Sequence, residues 1–386
     1  MDTKSHPENN DNPVAALRRY GQSVWLDYLR RSVIESGELA RLIREDGLGG
    51  ITSNPAIFQK AIEGDKGYAS IIADELSKER GLSPKRLFEL VAVRDIQAAA
   101  DLLAPVYRSS AGLNGYVSLE VAPDLAHDTH GSVEEARRLW REVDRPNLMI
   151  KIPGTPEGLP AIATLLGEGI NVNITLLFAR SVYERVAEIY VEALEARLAR
   201  GEPIQAIASV ASFFVSRIDT AADAAIEKKA KGASGAERAA LEALLGKVAI
   251  ANAKLAYLSY RRIFSSPRWQ ALLAKGARPQ RVLWASTGVK NPQYSDVLYV
   301  EELIGPETVN TMPPETLAAF RDHGRHRPSL LSGVEGAIQV LDDLAKAGIS
   351  LEAITAELVA DGVKKFQEPY DKLLASIEKR ARETAR

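Results

Sequence analysis

The sequence of 386 residues contains no cysteine, so neither disulfide bonds nor thiol chemistry can take part in its fold or function. It also has no apolar stretch that approaches the ~18 residues of a membrane-spanning helix. No glycine-rich G-x-G-x-x-G or Walker-type loop follows the first predicted strand. The sequence therefore gives no support to a disulfide-stabilised domain, a helical membrane protein or a nucleotide-binding protein.

A large excess of charge of either sign is missing as well. The formal net charge is −2 and the isoelectric point is about 6.3. We expect no nucleic-acid partner and no membrane partner from this balance. The N-terminus lacks the apolar core of a signal peptide, and we expect a cytoplasmic location. The polar residues 1–13 are predicted to be a disordered tail, and residues 14–386 a single domain without internal repeats.

Short apolar runs recur along the chain between helical patterns. They are too uniformly apolar to alternate cleanly, which is typical of parallel strands covered on both faces. The eight predicted strands are Ser23–Asp27, Gly49–Thr52, Tyr116–Val121, Leu148–Ile152, Ile170–Thr175, Ala206–Ser212, Arg281–Ser286 and Thr308–Met312. Amphipathic helical patterns separate them, for example over 131–143, 157–168 and 179–200. This alternation predicts an α/β fold, a closed (β/α)8 TIM barrel, with an open doubly wound sheet as the structural alternative.

The chain is longer than the ~250 residues of a simple barrel, so we expect extra helices in insertions and at the C-terminus. Residues 55–115 form the largest insertion, with helical runs over 69–79 and 86–110. A second long helical stretch runs from about 218 to 265, where Lys247, Lys254 and Arg261 recur at seven-residue spacing as a predicted solvated stripe. Residues 333–384 are predicted to form two helices that pack over the barrel mouth.

Lys151 interrupts the apolar strand-like run from Leu148 to Pro153, and a lone amine in such a place calls for an explanation. Burial disfavours the ammonium form of a lysine and so favours the neutral, nucleophilic amine. A desolvated lysine on a rigid strand is what attack on a ketone and formation of a Schiff base require. The alternative is a strand-end lysine whose ammonium group reaches water along an apolar stem.

Barrel enzymes carry their active sites at the C-terminal ends of the strands, and polar residues are found at these ends in the predicted barrel. They are Asp27, Thr52, Asn54, Glu120, Lys151, Asn173, Thr175, Ser212 and Ser286. Helix capping could account for Asp27, Thr52 or Ser286 alone, and Asn54-Pro55 is a common turn dipeptide. A carboxylate, an amine, hydroxyls and amides converging on one rim indicate a catalytic site instead.

Two histidines near two aspartates imitate a metal site. His127 and His130 lie beside Asp124 and Asp128, after the third predicted strand. The position favours a helix entry with ordinary capping, and we expect no metal site here.

Several longer stretches resemble the transaldolase family. They are GITSNPAIF (50–58), VSLEV (117–121), HDTHGSVEEARRL (127–139), MIKIPGTPEGL (149–159), INVNITLLF (170–178) and LWASTGVKNP (283–292). The resemblance implies a class I aldolase barrel that uses a lysine on its fourth strand and neither a metal nor an organic cofactor. It also implies transfer of a dihydroxyacetone unit between sugar phosphates in the pentose phosphate pathway. We expect the protein to be a monomer or a homodimer.

The resemblance assigns roles to individual residues. Lys151 is expected to form the Schiff base, Asp27 to act as the base for carbon–carbon cleavage, and Glu120 to transfer protons through a water held by Thr175. The remaining residues are expected to bind substrate, and they are Thr52, Asn54, Asn173, Ser212, Phe214, Arg217, Ser286 and Lys290. Arg217 is expected to bind the phosphate, and Lys290 takes the place of an arginine that shorter relatives carry nearer the serine.

Two other functions remain open. A related aldolase releases free dihydroxyacetone, and by resemblance such enzymes carry glutamine where this chain has Glu120 and tyrosine near Phe214. A non-catalytic sugar-phosphate-binding barrel is the other alternative, against which the joint presence of Asp27, Glu120, Lys151 and Thr175 argues.

Overall fold

A computed structural model of the protein describes residues 12–65, 67–79 and 81–384. In these residues, eight parallel strands form one closed barrel. They are β1 (Gln22–Leu26), β2 (Gly50–Thr52), β3 (Tyr116–Glu120), β4 (Leu148–Pro153), β5 (Val172–Leu177), β6 (Ser209–Phe214), β7 (Arg281–Ala285) and β8 (Thr308–Met312). Each strand pairs with the next one along the chain and β8 pairs with β1, which confirms the predicted (β/α)8 barrel.

Helices surround the barrel. Those in the described residues are α1 (Pro13–Ala16), α2 (Arg31–Glu35), α3 (Glu38–Glu45), α4 (Pro55–Gly64), α5 (Gly67–Lys78), α6 (Pro84–Ser109), α7 (Thr129–Val143), α8 (Gly158–Glu168), α9 (Arg180–Ala199), α10 (Ser216–Ala230), α11 (Gly235–Glu242), α12 (Val248–Phe264), α13 (Pro267–Leu273), α14 (Leu298–Glu302), α15 (Pro314–His323), α16 (Val334–Lys346) and α17 (Leu351–Thr384). Two 3₁₀ turns, Leu17–Tyr20 and Pro123–Leu125, complete the assignment.

The number of paired residues differs from one pair of neighbouring strands to the next. β1 and β8 match at five positions, from Gln22 opposite Thr308 to Leu26 opposite Met312. β1 and β2 match only at Leu26 opposite Ile51, although the three residues of β2 all pair with β3. The β1–β2 seam is therefore the part of the barrel with the least ladder pairing.

The strands are buried because both of their faces are covered. All residues of β4, β5 and β6 are buried, as expected for parallel strands packed between a barrel core and a helical layer. Aromatic side chains fill the space between strands and helices, where the rings of Tyr183, Phe213 and Trp284 meet edge to face. This packing fixes the strand ends that carry the polar residues.

The insertions contain more helical segments than the sequence pattern predicted. Asn54 accepts a hydrogen bond from the amide of Ile57 and caps α4, so Asn54-Pro55 begins a helix and does not form a simple turn. The stretch from 218 to 265 is divided into α10, α11 and α12. Gly246, which has a positive φ, lies between α11 and α12, where a right-handed helix cannot continue.

The predicted solvated stripe on α12 is wrong at its middle residue. Lys254 is buried, and its ammonium group donates a hydrogen bond of 2.7 Å to the carbonyl of Ser332 just before α16. Burial lowers the pKa of Lys254, and the charge of Glu302 partly opposes this effect. The seven-residue spacing therefore marks a face that packs against the C-terminal region at this point.

The C-terminal region forms the two predicted helices. α17 packs along α4, α6 and α10, and it reaches the barrel mouth at the end of β5. At the other end of the chain, residues 1–11 of the predicted tail lie outside the described residues. Asn12 and Pro13 correct the predicted boundary, because Asn12 caps α1 and Pro13 is its first residue. In the described residues, no helix is both long and apolar enough to cross a membrane.

One close approach sets the start of β3. Gly115 has a φ of +90°, and a Cβ atom added there would lie 2.3 Å from the backbone nitrogen of Tyr107. Gly37 has a φ of +81° with nothing within 4 Å of such a Cβ atom. Alanine in place of Gly37 would therefore introduce backbone strain alone, whereas alanine in place of Gly115 would introduce backbone strain and steric overlap.

We expect Gly37→Ala to lower the free energy of unfolding by about 1–2 kcal/mol, the usual cost of a left-handed alanine. Gly115→Ala should cost more, because the end of α6 must also move away from β3. Chemical denaturation of the two variants and the wild type measures both effects. Equal losses in the two variants would contradict the proposed overlap with Tyr107.

Candidate active site

The carboxyl ends of the strands surround a cavity of about 390 Å³. Its lining contains most of the residues that the sequence analysis singled out. Those that line it are Asp27, Thr52, Asn54, Lys151, Thr175, Ser212, Phe214, Arg217, Ser286 and Lys290. Two predicted residues, Glu120 and Asn173, do not line it.

Lys151 lies on β4 in the wall of this cavity, between β3 and β5. Its Cα is paired with Glu120 on one side and with Asn173 on the other. The residue is only 5% exposed, and its ammonium group lies 3.1 Å from Oε2 of Glu120. Lys151 also donates a hydrogen bond of 3.1 Å to the carbonyl of Ser53. The amine is therefore held in one place by two oxygens, in the interior and not at a solvated strand end.

Glu120 lies next to Lys151 and lines a small, mostly apolar pocket together with Val363 and Phe366 of α17. Its side chain is 6% exposed. Burial raises the pKa of Glu120 above its ordinary value, and the adjacent ammonium group of Lys151 opposes the rise. A carboxyl group with a raised pKa in contact with an amine is suited to exchanging protons with it.

Asp27 follows β1 on the wall beside β2. Its Oδ1 accepts a hydrogen bond of 2.7 Å from the hydroxyl of Thr52, which is also 2.7 Å from the hydroxyl of Thr311. Burial raises the pKa of Asp27, whereas the charge of Lys151 and the Thr52 hydrogen bond lower it. Neither Asp27 nor Thr52 caps a helix, so the capping alternative is wrong for both.

Thr175 presents a buried hydroxyl to the cavity. The residue is fully buried, and within the described part of the chain its Oγ1 has no hydrogen-bond partner. A buried hydroxyl costs free energy unless a water or a ligand binds it. Thr175 is thus suited to hold a small polar group close to Lys151.

Asn173 was predicted to bind substrate, but its side chain takes part in a network beneath the cavity. Its amide nitrogen donates to the hydroxyl of Ser118 at 3.0 Å, and its carbonyl accepts from the hydroxyl of Ser212 at 2.7 Å. Ser212 lines the cavity above. Asn173 therefore orients Ser212 and supports the strand beside Lys151.

Asn54 and Ser286 have both a structural and a cavity-facing position. Asn54 caps α4 through its carbonyl oxygen, which leaves its amide nitrogen available to a ligand. Ser286 has a φ of +55°, and its Oγ lies 3.0 Å from Oγ of Ser216. A serine in this strained backbone region is typical of a functional site, and Ser286 does not cap the helix that follows.

Arg217 supplies a positive charge at one end of the cavity. Its guanidinium carbon lies 5.2 Å from the ring centre of Phe214 and 5.9 Å from that of Phe366. Burial lowers the pKa of Arg217, and the carboxylate of Asp361 is the largest opposing influence. Its Nη1 is buried and has no hydrogen-bond partner among the described residues. A buried guanidinium with a free donor is suited to an anionic ligand.

Lys290 stands on the loop after β7, at the exposed rim of the cavity. Tyr294 on the same loop donates a hydrogen bond of 2.8 Å to Asp223 on α10, the helix that carries Arg217. Tyr299 donates in the same way to Asp219 at 2.9 Å. These two contacts connect the segment that follows Lys290, including α14, to the helix that carries Arg217.

Five polar or aromatic residues of the cavity lining were missed by the sequence analysis. They are Tyr28, Lys60, Thr311, Glu315 and Phe366. Lys60 lies on α4, and its position after the GITSNPAIF stretch was a usable signal. Phe366 lies on α17, and nothing in its helical pattern distinguishes it from a core residue.

The His127 region forms a helix entry. Asp128 accepts a hydrogen bond from the amide of Gly131 and caps α7, as the sequence analysis predicted. Nδ1 of His127 lies 3.1 Å from Glu157. In the described residues, no group of three histidine, cysteine, aspartate or glutamate side chains is arranged to hold a metal ion.

The arrangement provides a buried amine, a proton donor or acceptor in contact with it, a second carboxyl group, hydroxyls and a cationic end. An amine nucleophile with an adjacent acid–base group is the machinery for forming an imine with a carbonyl compound. The hydroxyls and the cations suit a polyol that carries a phosphate.

Comparison with known proteins relates nearly the whole chain to one family. The family model described as "Transaldolase/Fructose-6-phosphate aldolase" matches residues 24–377. The chain is 49% identical over 373 residues to "Transaldolase 2" of Nostoc sp. strain PCC 7120, which covers 95% of this chain and 97% of that protein. It is 50% identical over 366 residues to the "Transaldolase" of Thiobacillus denitrificans, which covers 95% and 99% of the two chains.

We expect inorganic phosphate to raise the melting temperature of the protein by binding at Arg217 and Lys290. Arg217→Ala should weaken phosphate binding about ten- to hundredfold, because a charge-assisted contact contributes about 1.5–3 kcal/mol. Lys290→Ala should weaken it less, since that ammonium group is solvated. Thermal unfolding at increasing phosphate concentration measures these changes.

Arg185→Ala provides the matched control, because Arg185 is an exposed arginine paired with Glu192 far from the cavity. This variant should respond to phosphate as the wild type does. A full phosphate effect in Arg217→Ala would place the anion site elsewhere, with Lys290 and Lys60 as the next residues to change.

Proposed function

The chain belongs to the transaldolase/fructose-6-phosphate aldolase family, and we propose that it transfers a dihydroxyacetone unit through an imine on Lys151. Its activity is that of a transaldolase, as the names of its full-length relatives state. The reaction converts sedoheptulose 7-phosphate and glyceraldehyde 3-phosphate into erythrose 4-phosphate and fructose 6-phosphate. The contact between the buried amine of Lys151 and Glu120 carries the mechanistic proposal.

Imine formation begins when the amine of Lys151 attacks the C2 carbonyl of the ketose phosphate. Glu120, 3.1 Å from the amine, accepts the proton that the ammonium group must lose. The same carboxyl group then returns a proton to the carbinolamine hydroxyl, which leaves as water. Thr175 provides the hydroxyl that holds the water through which these protons pass.

Cleavage follows from the charge of the iminium group. Asp27 takes the proton of the C4 hydroxyl, the C3–C4 bond breaks, and its electron pair moves into the iminium group to give an enamine. The aldose phosphate leaves with a new carbonyl group at the former C4. The enamine then attacks the aldehyde carbon of the acceptor, and the same steps in reverse release the new ketose phosphate.

Substrate binding uses the two ends of the cavity. Arg217 and Lys290 bind the phosphate, and Lys60 adds a third positive charge at the rim. Thr52, Asn54, Ser212 and Ser286 bind the hydroxyls of the sugar. Asn173 acts through Ser212, because both polar ends of its amide are already bound within the barrel.

The aldolase that releases free dihydroxyacetone is the less favoured alternative. By resemblance, such enzymes carry glutamine where this chain has Glu120 and tyrosine near Phe214. Here the carboxyl group of Glu120 touches Lys151, and the ring of Phe214 packs against Arg217. Both features favour transfer to an acceptor.

The wider setting of the enzyme is also part of the proposal. We propose that it works in the cytoplasm, within the pentose phosphate pathway, where its phosphorylated substrates are formed. Sugar phosphates are its proposed partners, and a monomer or a homodimer is its proposed state.

Borohydride reduction in the presence of fructose 6-phosphate should attach a three-carbon adduct to Lys151, detectable by peptide mass mapping. Lys151→Met should abolish both the adduct and turnover, because Lys151 is the amine that contacts Glu120 in the described part of the chain. Lys60→Met is the control, since it removes a lysine of the same cavity that is exposed at the rim. An adduct on Lys60 or Lys290 in the wild type would overturn the imine assignment.

Glu120→Gln should slow transfer by about 10²- to 10⁴-fold, as expected when a general acid–base group is lost. Glu315→Gln, which removes an exposed carboxylate from the same cavity, should have a small effect.

In both variants the rate of transfer should fall in acid as Asp27 becomes protonated, since the base must be ionised. Burial raises the pKa of Asp27 above 3.8, so this loss should begin at higher pH than for an ordinary aspartate.

The pH dependence of kcat/KM tests this point. An acid limb at the ordinary aspartate pKa would contradict the role of a buried Asp27. Intact transfer in Glu120→Gln would remove Glu120 from the proton transfers.

A further inference from the structure

The aromatic ring of Phe366 covers the catalytic lysine from the side of the cavity that faces α17. The ring centre lies 5.9 Å from the amine nitrogen of Lys151 and 5.9 Å from the guanidinium carbon of Arg217. Phe366 is only 6% exposed, and it lines the substrate cavity. Phe366 of the C-terminal helix α17 thus lies close to both Lys151 and Arg217.

Packing on both sides of Phe366 holds the ring in place. One turn further along α17, Tyr370 packs edge to face against Phe88 of α6, and Phe88 packs in the same way against Phe58 of α4. One turn before it, Gly362 lies so close to β5 that an added Cβ atom would meet Leu176 at 2.8 Å. The ring is therefore a fixed part of the cavity wall.

The lysine-bound enamine has two fates once the aldose phosphate has left. It can attack the aldehyde carbon of an acceptor, which forms the new C3–C4 bond. Alternatively it takes a proton at C3 to become an iminium group, and water then adds to C2. The C2–nitrogen bond breaks in that second course, which frees Lys151 and releases dihydroxyacetone. Water must add at C2 to release the new ketose phosphate, so transfer depends on keeping solvent away from the enamine only until the acceptor has added.

We propose that Phe366 is a specificity-determining residue that excludes water from the lysine-bound enamine and so directs it to the acceptor. The inference rests on the imine mechanism proposed above and adds a reason for transfer over hydrolysis. An apolar ring beside Lys151 removes one position from which solvent could reach the enamine, and the single water held by Thr175 remains for the later hydrolysis. The same ring limits solvent access to Arg217, whose guanidinium group also lies near the ring of Phe214.

Apolar volume and ring electrons are separable contributions of Phe366. A cation near an aromatic face is stabilised by the ring. Leucine keeps an apolar cover but has no ring, whereas alanine removes the cover and glutamine replaces it with a polar group. Water exclusion therefore predicts that leucine resembles phenylalanine and that alanine and glutamine resemble each other.

The experiment compares two rates for each variant with fructose 6-phosphate as the donor. One rate is the release of free dihydroxyacetone without an acceptor, and the other is the formation of sedoheptulose 7-phosphate with erythrose 4-phosphate present. We expect the ratio of release to transfer to rise about tenfold or more in Phe366→Ala and Phe366→Gln. Phe366→Leu should stay within about threefold of the wild-type ratio.

Ile377→Ala is the matched control, because Ile377 is a fully buried residue of α17 that does not line the cavity. Its ratio should equal that of the wild type. An equal rise in Ile377→Ala would assign the effect to loosening of α17 and overturn the role of the ring. An unchanged ratio in Phe366→Gln or Phe366→Ala, with transfer still measurable, would overturn it as well.

Failure of the underlying mechanism gives a different result. A wild-type enzyme that forms no borohydride-reducible adduct refutes the imine on Lys151, whatever the Phe366 variants do. A wild-type adduct together with unchanged ratios refutes only the role of Phe366.

Discussion

The buried ion pair between Lys151 and Glu120 is the interaction on which the active site depends. Moving two charges out of water costs several kcal/mol for each ion, and only close geometry and further hydrogen bonds offset this cost. The parallel register of β3 and β4 supplies that geometry, because it places the two Cα atoms opposite each other. The carbonyl of Ser53 supplies the further acceptor. The barrel thus holds a charged pair whose protons can move between its members during the reaction.

Polar interactions in the barrel interior support this pair from below. The carboxamide of Asn173 on β5 joins the hydroxyls of Ser118 on β3 and Ser212 on β6, so that one set of hydrogen bonds connects three strands of the barrel. A fully bonded layer of this kind fixes the strands laterally, whereas an unsatisfied one would cost free energy. The hydroxyl of Thr175 has no hydrogen-bond partner among the described residues, and the residue lines the cavity where substrate chemistry takes place.

The strands and most of the site could be predicted from the sequence, because parallel strands give short apolar runs and their polar ends meet at one rim. What could not be predicted depends on contacts between distant segments. Asn173 has the composition of a ligand-binding residue, and only the register of three strands shows that its amide is already bound. Lys254 has the sequence spacing of a solvated lysine, but in the structure its ammonium group donates a hydrogen bond to the distant carbonyl of Ser332. Phe366 looks like any core residue of an amphipathic helix, since only tertiary packing brings it to Lys151.

The short ladder between β1 and β2 has a consequence for the base. Asp27 follows β1 and Thr52 ends β2, so their hydrogen bond closes the barrel where the backbone pairing is weakest. The carboxylate of Asp27 therefore connects two strands through a hydrogen bond and also acts as the proposed proton acceptor. Substituting Asp27 would change both the reaction rate and the stability of the pairing between β1 and β2. Amide hydrogen exchange at Leu26 and Ile51 measures the second effect separately from the first.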